Sequence, residues 1–223
     1  MAGRGSSKQS GLSRSWFILG AVYAVFFFWY TSFGGPLSDQ EIAHFTEVVE
    51  TAPGMYGDHQ RWITFMETDT GDDFAMWVVV DLADTPKSIP GVDPGESSEE
   101  VVNRYADPYF QDALLRAAHP VAGGTAASGS LDFWGIEGAE DWGSGLLVRY
   151  RSRRDMMETM EEMVGSDEDI HAFKVAAVEK TIAFPLDPWA HPGDPRLLLA
   201  LLFLVLGLAF QLRRNARAPR VEA

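Results

Sequence analysis

The sequence predicts an α+β domain of the split βαβ, ferredoxin-like kind, with an antiparallel sheet and helices on one face, held between two apolar helices. Residues 16–33 and 197–212 contain no charged residue. Between 74 and 186 the residue patterns follow the order strand, helix, strand, strand, helix, strand, which is the ferredoxin-like order. The chain between the apolar stretches is long enough for one domain with its own core.

The first apolar stretch, residues 16–33, has the length and composition of a transmembrane helix. An 18-residue helix spans about 27 Å, which is close to the thickness of the hydrocarbon core of a bilayer. A cleaved signal peptide over residues 1–34, with the small residues Ser32 and Gly34 at the cleavage site, is the alternative interpretation.

The second apolar stretch, residues 197–212, is slightly short for a span, and snorkelling of the arginines that flank it makes up the difference. The first 15 residues and the last 11 each carry a net charge of +3, so residues 16–212 must carry −20 to give the total of −14. Basic residues at the outer end of both helices place both termini in the cytoplasm. We therefore expect a protein of the bacterial inner membrane, with residues 34–196 in the periplasm or outside the cell.

Composition excludes several classes of function. The acidic middle of the chain repels nucleic acid, which excludes nucleic-acid binding by this part. The chain has no Cys, so disulfides, thiolate metal sites and Cys nucleophiles are excluded. The five histidines form no metal-ligand pair, and the acidic turn 67–73 lacks the EF-hand spacing, so we expect neither a metal nor a cofactor.

The segment before the domain is predicted to be an amphipathic helix that starts at the capping box Ser38–Glu41. A strand over 60–69, a turn and a strand over 74–82 then predict a hairpin. The remaining predictions are a Pro- and Gly-rich loop over 83–96, a helix from Ser97 interrupted at Asp107–Pro108, a bent strand over 121–136, a strand over 144–150, a helix from Ser152 with a methionine stripe, a helix over 166–180, and a strand over 181–186.

These elements predict seven consecutive regions. They are a cytoplasmic tail (1–15), a transmembrane helix (16–33), a juxtamembrane helix and linker (34–58), the ferredoxin-like domain (59–187), a linker (188–196), a second transmembrane helix (197–212) and a basic cytoplasmic tail (213–223).

Two runs in the second half of the chain resemble a known superfamily. The runs LLVRYRSRRDMMETMEEM, from Leu146, and HAFKVAAVEKTIAFPL, from His171, are similar to the C-terminal half of small dimeric α+β-barrel proteins. The likeness is to families of unknown function related to the antibiotic-biosynthesis-type monooxygenases. It implies a dimer through paired sheets and a small-molecule pocket between sheet and helices. Those proteins are mostly soluble, and no catalytic motif of the monooxygenases is recognisable here.

Five side chains are candidates for a site. His171, on the helix before the closing strand, could act as a general base or bind an anion; a packing histidine is the alternative. Arg149, on a strand, could clamp a carboxylate, or it could form an internal salt bridge. Trp77, Trp134 and Tyr150 could line a ligand pocket, or they could pack in the core or a dimer contact.

Three functions are compatible with these observations. The first is a membrane-anchored extracytoplasmic domain that forms a homodimer and binds a small amphipathic ligand or a membrane-protein partner. The second is a cofactor-free oxygenase or isomerase that acts on a lipid-like substrate. The third is an accessory subunit of a larger membrane complex. Neither the ligand nor any reaction follows from the sequence.

Overall fold

A computed structural model describes residues 14–51, 58–164, 170–189, 191 and 193–217. The chain forms two compact units, one with the first and last helices and one that spans Thr31–Ala190. The elements are, in order, α1 (Arg14–Tyr30), α2 (Asp39–Thr51), α3 (His59–Glu67), β1 (Phe74–Leu82), α4 (Ser98–Leu115), β2 (His119–Thr125), β3 (Ser144–Tyr150), α5 (Arg153–Val164), α6 (His171–Ala177), β4 (Val178–Leu186) and α7 (Pro195–Arg217).

The larger unit is an α+β domain built on one four-stranded antiparallel sheet, which confirms the predicted class. The strand order is β2-β3-β1-β4, with β1 and β3 in the centre. In this register Phe74 lies opposite Tyr150, while Trp77 lies opposite Leu147 on one side and Phe184 on the other. Because side chains alternate along a strand, Phe74 and Tyr150 share one face of the sheet, and Trp77 and Phe184 share the other.

The core lies on the face of the sheet that carries Phe74 and Tyr150. These two rings stack with their centroids 5.3 Å apart. The helices contribute further buried side chains, which are Val49, Met66, Tyr109, Ala113, Met156, Met157 and Met160. The methionine stripe of α5 is therefore part of this core, as its helical spacing predicts.

The predicted strand over 60–69 is wrong, and so is the hairpin built on it. Residues 59–67 form the helix α3, whose first turn is capped by Asp58 through the Gln60 amide at 3.0 Å. Trp62, Phe65 and Met66 lie at helical spacing and pack on the core. These bulky residues favour a strand by intrinsic propensity, but the packing surface they meet requires a helix.

The predicted interruption at Asp107–Pro108 is also wrong, because α4 continues through Pro108. A proline inside a helix costs about 3 kcal/mol through the lost hydrogen bond and the ring clash. Burial on both sides of it compensates, since Val101 and Ala113 are completely buried and Tyr109 nearly so.

Two further boundaries differ from the prediction. The bent strand over 121–136 is instead the short β2 followed by a loop, because its partner β3 begins only at Ser144. The closing strand begins at Val178 rather than 181, because its ladder with β1 extends to Leu82. The predicted start of the last helix, 166–169, lies outside the described residues.

The smaller unit contains α1 and α7, which pack on each other. Among the described residues only α7 is long and apolar enough to cross a membrane; α1 has 17 residues and ends at Tyr30, before the predicted 33. Tyr23 meets Phe203 edge-on at 6.4 Å, and Trp16 lies so close to Gly207 that a Cβ there would clash. The contacting residue numbers increase along α7 while they decrease along α1, so the two helices are antiparallel.

Candidate functional site

The face of the sheet away from the core presents an apolar surface, which we call the open face. Its exposed members lie on the edge strand β4 and are 38–44% exposed, namely Ile182, Phe184 and Leu186. The paired strands add the half-buried side chains of Trp77, Val79 and Leu147 to the same face. Single apolar residues at a surface are ordinary, whereas a contiguous apolar patch marks an interaction site.

Trp77 lies at the middle of the open face. A Cβ added at Gly145 would sit 3.8 Å from the Trp77 ring, so the indole lies alongside a position that has no side chain. On the neighbouring strand Gly124 pairs with Gly145. At these two positions the neighbouring strands therefore carry no side chain beside the indole, which is half-buried.

A second cluster of candidates lies within the core between the sheet and the helices. The hydroxyls of Tyr109 and Tyr150 are 2.6 Å apart, and Tyr105 stacks on Tyr109 at 5.6 Å. His171 meets the Tyr105 ring edge-on at 5.7 Å, and the Lys174 ammonium lies 5.3 Å from the centre of that ring. The structure therefore connects Tyr150 and His171 through two tyrosines.

Burial sets the protonation of this tyrosine cluster. Desolvation raises the pKa values of Tyr105 and Tyr150 well above the usual tyrosine range. Desolvation also lowers the pKa of Lys174, because the charged ammonium is disfavoured in the same surroundings. Both phenols are therefore neutral at physiological pH, and they act as hydrogen-bonding groups rather than as bases.

Arg149 lies on the other side of the sheet from Tyr150. It is 1% exposed, and its guanidinium pairs with Asp73 at 3.0 Å and donates to the carbonyl oxygen of Ala117 at 3.0 Å. Adjacent residues of a strand face opposite ways, so Arg149 and the cluster that holds His171 are separated by the sheet. The structure does not bring these two candidates into one pocket.

The tryptophans are dispersed over the domain. Trp134 is 88% exposed in the loop between β2 and β3, while Trp62 packs on the core. Trp142 lies under the Lys180 ammonium at 5.0 Å. Of the two tryptophan candidates for ligand binding, only Trp77 lies among other apolar side chains of the sheet.

Sequence reasoning missed a set of ion pairs made by three neighbouring arginines. Arg151, two residues before α5, pairs with Asp155 in the first turn of that helix at 2.9 Å. Two others reach the segment before the sheet, where Arg153 pairs with Asp69 at 3.6 Å and Arg154 with Glu41 at 3.2 Å. The alternation of arginines in RYRSRRD signals charge, but the partners of Arg153 and Arg154 lie too far along the chain for sequence to identify them.

The Glu41–Arg154 pair predicts a loss of stability in acid. The hydrogen bond from Arg154, helped by those from Ser38, lowers the pKa of Glu41 from 4.5 to about 2. The pair therefore contributes fully above pH 4.5 and is lost as the pH falls from 4.5 toward 2. We expect Glu41→Gln to cost about 1 kcal/mol at neutral pH, as loss of a cap does.

The measurement is the thermal unfolding midpoint of the full chain in detergent between pH 6 and pH 3, followed by circular dichroism. The difference between wild type and Glu41→Gln should shrink as the pH falls. Glu50→Gln, on the exposed side of the same helix, is the control. A pH-independent difference would contradict the assignment.

Among the described residues there is no group of three or more acidic or histidine side chains arranged to hold a metal ion.

His44 lies 2.8 Å from Glu161, and this contact connects α2 with α5.

Of the known proteins compared with this chain, solved structures are the ones that match it. No protein-family model matches the chain, and no curated protein matches it significantly. A crystal structure of the methylated RPA0582 protein has 18% identity and a TM-score of 0.48, over 65% of this chain and 100% of that one. A second, of the RPA0582 protein of unknown function from Rhodopseudomonas palustris, has 18% identity and a TM-score of 0.46, over 61% and 98%. The fold places this protein in the class of α+β domains with an antiparallel sheet, and these neighbours assign no function to it.

Proposed function

We propose that this chain is a membrane-anchored assembly protein whose domain pairs with a second copy through the open face of its sheet. One observation carries the proposal, namely the apolar surface formed by Trp77, Ile182, Phe184 and Leu186. A specific interface needs a patch of roughly 800 Å² on each partner with an apolar centre and aromatic anchors. Trp77 and Phe184, opposite each other on neighbouring strands, are suitable anchors.

The proposed topology of the domain is ferredoxin-like. The order βαββαβ and the strand order β2-β3-β1-β4 support this assignment. The larger helices of such a domain pack on one face of the sheet. On the other face, the end that carries Arg149 is covered by Asp73 and Ala117 of the same chain, while the part around Trp77 and Phe184 is left to solvent or a partner. In a two-fold symmetric dimer, the open face of one copy packs on the open face of the other, so the same patch forms both sides of the interface.

The proposed anchor is a pair of transmembrane helices, α1 and α7. Their antiparallel packing supports retention of α1 rather than its removal as a signal peptide. The notch at Gly207 accepts the ring of Trp16, and a small residue at such a position lets helices approach closely in a membrane. Both termini are then cytoplasmic, and the domain lies on the periplasmic or outer side.

The cysteine-free chain allows a direct test of pairing. Cysteine replacing Ile182, on the open face, should be joined between two copies by a short bismaleimide in native membranes. Cysteine replacing Glu99, exposed on α4, is the matched control and should not be joined. Equal cross-linking of the two variants would contradict pairing through the open face.

The same proposal includes binding of an amphipathic ligand, and the site proposed for it is the apolar surface around the half-buried Trp77. A membrane-protein partner on the same face is the competing occupant, and mass spectrometry of the cross-linked product distinguishes the two, since a homodimer has twice the mass of the chain. The oxygenase or isomerase alternative gains no specific support, because Arg149 and His171 lie on opposite sides of the sheet.

A further inference from the structure

The last turns of α7 carry a stripe of arginines on one helical face. Phe210, Arg213, Arg214 and Arg217 follow the spacing i, i+3, i+4, i+7, so they lie on the same side of the helix. We call these residues the arginine stripe. They line an open recess of about 600 Å³, and all four are exposed.

The stripe continues the face of α7 that packs on α1. Phe203 and Gly207, on that face, contact Tyr23 and Trp16 of α1. Trp16 lies near the start of α1, and the stripe extends from this contact toward the C-terminal end of α7. Among the described residues α1 begins at Arg14, so the part of this face that carries the arginines lies beyond the described end of α1.

The charged side chains of α7 are all arginines. The 23 residues of α7 contain no Asp or Glu. The C-terminal end of a helix carries a partial negative charge, which holds cationic side chains there. Guanidinium groups offer paired N–H donors that match phosphate oxygens, so the stripe is suited to a phosphate.

The position of Phe210 further limits the class of ligand that fits the stripe. It lies one turn before the arginines on the same face of the helix and is 44% exposed. A ligand that contacts both parts must carry an apolar portion directly beside a phosphate. Free phosphate lacks that portion, whereas an anionic phospholipid has it in its acyl chains.

We propose that the arginine stripe binds the headgroup phosphate of an anionic phospholipid, with Phe210 against the start of an acyl chain. This rests on the proposed membrane insertion of α7, which puts the stripe at the level of the headgroups. Each arginine near an anionic surface contributes about 1 kcal/mol, so removal of two is expected to weaken binding roughly 30-fold.

The test uses the full chain purified in detergent and native mass spectrometry, with phosphatidylglycerol and phosphatidylcholine of the same acyl chains as probes. Wild type should bind phosphatidylglycerol at least about tenfold more tightly than phosphatidylcholine, because only phosphatidylglycerol carries a net negative charge on its headgroup. The double variant R213Q/R217Q should lose this preference and leave phosphatidylcholine binding unchanged.

The double variant R61Q/K87Q, with the same change of charge at exposed positions of the domain, is the control and should bind like wild type. Equal affinity of wild type and R213Q/R217Q for phosphatidylglycerol would overturn the proposal, as would tighter binding of a single-stranded RNA oligonucleotide than of the lipid. A mass shift that the control variant loses as well would mean binding by net charge alone, which also overturns it.

A separate experiment tests on which side of the membrane the domain lies. Cysteine replacing Ser88, exposed in the loop after β1, should react with an impermeant thiol reagent on intact cells. Absence of labelling with intact arginine-dependent lipid binding would contradict the proposed placement of the domain and leave the lipid site standing. Labelling of this cysteine together with lipid binding that does not depend on the arginines would support the proposed placement of the domain and contradict the lipid site.

Discussion

Asp69→Ala should destabilise the domain by about 3–5 kcal/mol, the cost of removing one partner of a buried ion pair. The Asp69 side chain is 2% exposed and accepts hydrogen bonds from the amides of Leu37 at 2.9 Å and Gly71 at 3.1 Å. Its third partner is Arg153, which is 7% exposed and would keep its charge in a buried position. One carboxylate thus joins the segment before α2, the turn before β1 and the start of α5.

The measurement is the thermal midpoint of the full chain in detergent, where this loss corresponds to a fall of about 10 °C for a domain of this size. Asp69→Asn should have an intermediate effect, because the amide oxygen can still accept one of the two backbone hydrogen bonds. Asp72→Ala, an exposed carboxylate of the same turn, should change stability by less than about 0.5 kcal/mol. Equal effects at the two positions would show that the buried pair is not what stabilises this turn.

Phe184→Asp should raise the dissociation constant of the proposed dimer by at least about 100-fold. Phe184 is 43% exposed in a single chain and lies opposite Trp77 at the centre of the open face. The substitution removes an aromatic anchor and places a carboxylate where water would be excluded, and both changes oppose association.

The dissociation constant is measured by analytical ultracentrifugation in detergent. Val175→Asp is the matched control, since Val175 is an apolar residue of similar exposure, 46%, on the helical side of the domain at α6. The control should remain as dimeric as wild type, and both variants should keep the wild-type unfolding midpoint. Dissociation of both variants, or of neither, would contradict the open face as the interface.

The candidate site shows how far sequence patterns reach. The alternation of β3 predicts that Arg149 and Tyr150 face opposite ways, and the structure places them so. The pattern does not predict that Asp73 and Ala117 enclose Arg149, because its partners lie 76 and 32 residues away. For the same reason the contact of His171 with Tyr105, which connects α6 with α4, has no signature in either helix alone.

The element errors have a common cause. Residues 60–69 are rich in side chains that favour strands, yet they form α3, and Pro108 interrupts a pattern but not α4. In both places the local preference amounts to a few kcal/mol at most, and burial of several large side chains on the core exceeds it.

By itself the sequence determined the α+β class, the order of elements from 74 to 186, the capping box at Ser38 and the apolar helix at the C-terminal end, because each follows from periodicity or composition over a short stretch. Only the tertiary structure decided that α3 is a helix, that Arg153 and Arg154 fasten the leading segment, and that the apolar residues of β1 and β4 form one open face. Those features depend on contacts between distant residues, and the free energy of such contacts is absent from any local pattern.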